Sequence, residues 1–169
     1  TGDVYYAANE LGPQDKQVYV AHQNGKTERL TAREGYNSAT FSAGYKYFIN
    51  TWSDINTPVV YTLNNNSGKV LSTLVDNKGL KEKLAAYDLG TRELFSFTTS
   101  EGVKLNGWMV KPAGFDASRR YPVIMYQYGG PGNQQVLNSW NIGMCGQGAL
   151  LEQYMAQQGY IVVCVDGRG

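Results

Sequence analysis

Tyr121-Pro122-Val123-Ile124-Met125-Tyr126-Gln127-Tyr128-Gly129-Gly130-Pro131-Gly132 is the stretch on which the fold turns. Its apolar run is nearly continuous from Pro122 to Tyr128, the pattern of a strand covered on both faces rather than on one. The glycines and proline that follow impose a sharp turn at the strand's carboxyl end. Downstream, the spacing predicts a helix over residues 148–158, with Leu150, Leu151, Tyr154 and Met155 on one side and Gly159 suited to stop it. Tyr160-Ile161-Val162-Val163-Cys164-Val165 then reads as a second buried strand. Strand, helix and strand make one right-handed crossover of a parallel sheet, the opening of an α/β domain.

Working back towards the amino terminus, Lys104–Lys111 and residues 93–98 read as strands joined by the turn Ser100-Glu101-Gly102. Trp108 and Val110 alternate there with Met109 and Lys111, as in an antiparallel strand near a sheet edge. Residues 76–90 change character. Leu80, Leu84 and Tyr87 have helical spacing, and this stretch is the natural connection between two domains.

Residues 1–75 are strand and turn throughout. Strands are expected at residues 2–7, 17–21 and 27–30, with a tight hairpin at Asn24-Gly25. The layout recurs at residues 44–49, 59–63 and 69–71. Adding 42 to the positions of Gly2, Tyr5, Val18 and Tyr19 lands on Gly44, Tyr47, Val60 and Tyr61. A repeat of that length, built from short antiparallel strands, has the size of one propeller blade. A small antiparallel sandwich with an accidental repeat is the competing reading. The expected fold class is therefore mixed β and α/β: the end of a β-propeller over residues 1–75, a connection over 76–90, and the N-terminal part of an α/β domain over 91–169.

Composition excludes several classes of function. The 169 residues carry 15 basic and 14 acidic side chains with no basic block, which speaks against nucleic acid or an anionic membrane as a partner. No run is long and apolar enough to be a membrane segment. One histidine, His22, and two separated cysteines, Cys145 and Cys164, cannot supply a zinc site of the usual kind, and no phosphate-loop lysine follows the glycines. Cys164 lies in an apolar run and reads as a buried free thiol. Both ends read as cut from a longer chain, so the isolated chain is expected either to associate or to owe its order to other segments.

The passage Tyr121–Pro131 resembles the first long hydrolase strand of the prolyl oligopeptidase family, and Val165-Asp166-Gly167-Arg168-Gly169 is similar to that family's next recurring segment. Thr1-Gly2-Asp3-Val4-Tyr5-Tyr6-Ala7-Ala8-Asn9-Glu10 is similar to a late propeller strand of its dipeptidyl peptidase IV branch. The resemblance implies an α/β-hydrolase domain facing a propeller, with a Ser-Asp-His triad, no cofactor, and release of N-terminal Xaa-Pro or Xaa-Ala dipeptides. It further implies a peptide substrate with a free N-terminus, a homodimeric parent, and work in the periplasm or outside the cell. Tyr128 matches the tyrosine whose hydroxyl helps to stabilise the oxyanion. Read without the resemblance, Tyr128 is a strand-end aromatic with its hydroxyl in solvent. Asp166 and Arg168 fall where the family has a loop close to the active site, and the plainer reading is an ion pair or a solvated turn.

The catalytic elbow Gly-x-Ser-x-Gly does not occur in this sequence. Thr40-Phe41-Ser42-Ala43-Gly44 is the nearest decoy, and Ser42 reads as a turn residue between strands. His22 precedes every candidate strand of the α/β half, so it cannot act as the base of such a triad; it reads as a surface or rim residue. Glu10, Glu28 and Glu34 match no paired-glutamate motif for a substrate amine. By itself the chain is expected to be inactive. A related acyl-peptide or oligopeptide hydrolase, or a non-catalytic propeller module that binds peptides or proteins, remains open at this point.

Overall fold

The computed structural model describes residues 2–130, 132–140 and 150–168. Thr1, Pro131, Cys145, residues 148–149 and Gly169, which enter the sequence reading above, lie outside the described residues. The chain divides into two compact units: Thr1–Lys81 with Asn138–Trp140, and Glu82–Leu137 with Asn141–Gly169.

The first unit holds two antiparallel sheets. β1 (Val4–Ala8), β2 (Gln17–Ala21) and β3 (Thr27–Arg29) form one; β4 (Tyr36–Phe41), β5 (Tyr47–Ser53), β6 (Val60–Asn65) and β7 (Val70–Val75) form a four-stranded meander. The 42-residue repeat is structural, since it carries β1 onto β5, β2 onto β6 and β3 onto β7. Gly2 and Gly44, 42 residues apart, both take positive φ, 74° and 79°, each just before a strand. Gly25 does the same at the β2–β3 hairpin, with φ 82°. Beyond shifts of a few residues at strand ends, two features differ from expectation. Gly44, Tyr45 and Lys46 belong to a turn before β5, with Tyr45 at φ 56°. β4 was not anticipated at all, because its Tyr-Asn-Ser-Ala-Thr-Phe sequence lacks an apolar alternation.

Val18, Val20, Leu30 and Phe48 make the apolar core of this unit, with Tyr5, Ala39 and Phe41 packed against it. Beside it runs a buried polar network. Thr31 donates to Gln17 Oε1 at 2.7 Å, and Asn37 Nδ2 donates to the same oxygen at 3.2 Å and to the Arg33 carbonyl at 3.0 Å. Asn50 Nδ2 in turn donates to Asn37 Oδ1 at 3.0 Å. These bonds tie strands of the two sheets together and satisfy amides that would otherwise be costly to bury.

α1 (Lys78–Leu84) has no buried residue, and Leu80 and Tyr87 are exposed, so their helical spacing marks no core face. The second unit is a four-stranded mixed sheet in the order β10-β11-β9-β8, from β8 (Thr91–Thr98), β9 (Lys104–Lys111), β10 (Val123–Tyr126) and β11 (Ile161–Val165). β9 lies one strand in from the edge strand β8. β10 and β11 are parallel, with Tyr126 paired to Cys164, and α2 (Leu150–Gln157) stands between them in the chain. Gly159, at φ 86°, ends α2: the Tyr160 amide donates to the Met155 carbonyl at 3.1 Å, six residues spanning a Schellman-type cap.

Two expectations are corrected here. β10 is not covered on both faces among the described residues, since Val123 and Met125 are about 60% exposed. The buried face of α2 is not the apolar one either. Glu152 and Ala156 point inwards, while Leu150, Leu151 and Tyr154 are exposed. The physical reason is charge: the buried Arg92 of β8 feels the Glu152 carboxylate, and its guanidinium lies over the Trp108 ring at 5.2 Å. Burial lowers the pKa of Arg92, and the Glu152 charge opposes that shift.

Candidate active site

Tyr128 lies two residues beyond β10, at the carboxyl end of a parallel strand pair, where α/β sheets commonly place ligands. It is half exposed. Its ring rests against Gly130, where an added Cβ would come 2.7 Å from Cε1 and 3.2 Å from the hydroxyl oxygen. A side chain at position 130 would therefore displace the ring, whereas Gly129 faces open space. Gly132 takes φ 72°, a conformation that glycine adopts without strain. These glycines thus do more than turn the chain, because one of them makes room for Tyr128.

The return leg of this loop is fixed. The Asp166 carboxylate, just past β11, accepts the Gln135 amide at 2.8 Å through Oδ1 and the Val136 amide at 3.0 Å through Oδ2. Asp166's own amide donates to the Asn106 carbonyl of β9 at 3.0 Å. Trp108, fully buried, donates its indole N–H to the Gln135 carbonyl at 3.1 Å. Among the described residues Asp166 makes no ion pair; its carboxylate is engaged instead by backbone amides of the loop after Tyr128. Arg168 is exposed.

The remaining candidates are not drawn to this site. Ser42 sits in the β4–β5 turn, its Oγ accepting the Tyr47 amide at 3.2 Å. His22 follows β2, partly exposed, with Nδ1 3.3 Å from the Asp3 carboxylate and Nε2 3.9 Å from that of Glu28. Cys164 is a buried free thiol, its pKa pushed up to about 12 by burial and then by the charges of Asp166 and Glu152. Such a thiol is a poor nucleophile at neutral pH. Among the described residues no group of three His, Cys, Asp or Glu side chains could hold a metal ion, and no helix is long and apolar enough to cross a membrane. The roles of Trp108 and Asp166 were not found by sequence reasoning; the buried Trp and the Asp directly after a buried strand were the available signals.

The chain is similar to known proteins in both sequence and structure. Residues 1–59 match the family described as the dipeptidyl peptidase IV N-terminal region. The crystal structure of Porphyromonas gingivalis dipeptidyl peptidase 4 superposes with a TM-score of 0.90 at 42% identity, covering 99% of this chain and 23% of that one. The protein described as "Probable dipeptidyl-aminopeptidase B" of Sclerotinia sclerotiorum is 34% identical over 98% of this chain and 18% of its own length. Its counterpart from Chaetomium globosum is also 34% identical over 98% of this chain. The chain thus spans about a fifth of the length of the curated relatives it matches. Its fold is the end of a β-propeller followed by the start of an α/β-hydrolase domain. The chain is a dipeptidyl peptidase IV-like family member.

Proposed function

We propose that this chain supplies the oxyanion-stabilising side of a serine exopeptidase that releases Xaa-Pro or Xaa-Ala dipeptides from peptides with a free N-terminus. The observation that carries the reading is Tyr128. Its half-exposed phenol stands at the carboxyl end of a parallel strand, on a turn whose Gly130 leaves room for the ring. Attack of a serine hydroxyl on the substrate carbonyl moves an electron pair onto the carbonyl oxygen. A phenol O–H already in place donates a hydrogen bond to that oxygen as its charge grows. One such donor lowers the barrier by about 3 kcal/mol, on the order of a hundredfold in rate.

No cofactor enters this chemistry, and the nucleophile and its base are not assigned to any residue of this chain. The similarity to proteins described as dipeptidyl peptidases and dipeptidyl-aminopeptidases supports the substrate class. The test is hydrolysis of Ala-Pro and N-acetyl-Ala-Pro chromogenic substrates by the full-length gene product. Turnover of the free-amine substrate alone, abolished by a serine-reactive inhibitor, is the expected result. Preference for the blocked substrate would move the reading to an acyl-peptide or oligopeptide hydrolase. No turnover of either would leave a peptide-binding module. The 169-residue chain alone is expected to turn over neither.

A further inference from the structure

The loop between Tyr128 and Val136 is tethered at both ends, and the second tether comes from a residue with no assigned role. At the near end, Tyr126 is paired with Cys164 in the parallel ladder. Continuing that register two residues outward brings Tyr128 and Asp166 to the same end of the sheet. Asp166 is itself held, because its amide is bonded to the Asn106 carbonyl of β9 at 3.0 Å. From that fixed position its two carboxylate oxygens take one backbone amide each, from Gln135 at 2.8 Å and Val136 at 3.0 Å. Trp108 completes the clamp through the Gln135 carbonyl at 3.1 Å. Val136 is fully buried, so the far end of the loop is sealed as well as bonded.

The carboxylate matters here as a pure acceptor. Two N–H groups converge on it, and a charged acceptor makes both bonds stronger than neutral ones. An amide in its place would offer one oxygen and one NH2 group, so that one backbone N–H would meet a donor. The loop between the two tethers contains Gly129, Gly130 and Gly132, which give it little stiffness of its own. The Tyr128 ring rests on Gly130, so any shift of that turn moves the phenol.

We propose that Asp166 is a positioning residue for Tyr128: by clamping Gln135 and Val136 it fixes the glycine turn against which the phenol rests. This rests on the reading of Tyr128 as the oxyanion donor. Catalysis through a fixed donor is sensitive to displacements of an ångström or less, while substrate binding elsewhere is not.

The test is a double-mutant cycle in the full-length gene product, with Asp166→Asn, Tyr128→Phe and the two combined. Asp166→Asn is expected to lower kcat about tenfold with KM changed by less than about twofold. In the Tyr128→Phe background the same change is expected to cost less than about twofold, because the group it positions is gone. Hydrogen exchange of the peptide covering residues 132–137 should quicken in Asp166→Asn and stay unchanged in Tyr128→Phe. If Asp166→Asn does not fold, Trp108→Phe removes the third bond of the clamp, leaves a smaller aromatic ring in the buried position, and carries the same pattern. A full tenfold loss in both backgrounds, or an unchanged kcat despite faster exchange, overturns the positioning role while leaving Tyr128 as the donor. If Tyr128→Phe itself keeps the parent kcat, the oxyanion reading fails first, and the positioning role falls with it.

Discussion

The two units solve the same problem, how to bury polar groups, in opposite ways. In the first, the interior polar residues are neutral: Gln17, Thr31, Asn37 and Asn50 form a ladder in which each donor has an acceptor. In the second they are charged: Arg92 and Glu152 are both buried, and the Arg92 guanidinium lies over the Trp108 ring. Amide ladders lose modest stability when a rung is removed. A buried charge left without its counter-charge loses much more. The comparison therefore forecasts unequal sensitivity, and the sharpest way to break it is to cut one partner in each unit. Glu152→Ala is expected to destabilise the second unit by about 3–5 kcal/mol. Asn37→Ala in the first should cost about 1–3 kcal/mol. Denaturant unfolding with a probe in each unit measures both, and equal losses would contradict the distinction.

Glycine contacts sharpen the same contrast. Gly68 has φ 82°, and a Cβ there would stand 2.3 Å from the Leu30 carbonyl oxygen. Backbone cannot step aside cheaply, so Gly68→Ala is expected to lower stability by about 2 kcal/mol or more, read as a fall in the unfolding midpoint. At Gly130 the obstructing group is instead the half-exposed Tyr128 ring, which can swing out. Gly130→Ala should leave the midpoint nearly unchanged and lower kcat by about tenfold or more.

At alkaline pH the units should behave alike. Burial, and then the Glu10 carboxylate, push Tyr19 up to about 12 in the first unit, as burial does for Cys164 in the second. In each case the folded pKa lies above the ordinary value, 10 for the phenol and 9 for the thiol. The stabilisation is therefore complete below the ordinary value and is lost as pH rises towards about 12. Unfolding midpoints should stay level up to about pH 9 and decline progressively above it, and the Cys164 thiol should stay silent to a thiol reagent at pH 8 until the protein unfolds. The smallest effect is expected at the exposed Lys26–Glu28 pair, 2.6 Å apart, where Lys26→Ala should leave the midpoint unchanged within error.

What was legible in the sequence follows the same division. The 42-residue repeat was readable because turn glycines and strand apolars recur at fixed offsets, and β1, β2 and β3 do return as β5, β6 and β7. β4 was invisible since Asn37, which a periodic reading assigns to solvent, is fully buried in the amide ladder. The same inversion misled the reading of α2, where Glu152 faces inwards and Leu150 outwards. Hydrophobic period detects burial only when burial is apolar. Tyr128 could be singled out only through resemblance to a known family. The clamp of Asp166 and Trp108 on Gln135 joins residues about thirty positions apart, and no local pattern encodes it.

The Tyr128 hydroxyl is proposed to stabilise charge that exists only in the transition state. Replacing Tyr128 by Phe in the full-length gene product removes that hydroxyl and little else. Steady-state kinetics on Ala-Pro chromogenic substrate should then show kcat falling about a hundredfold with KM nearly constant. An unchanged kcat, or a loss confined to KM, would contradict the account and return Tyr128 to a strand-end aromatic with its hydroxyl in water.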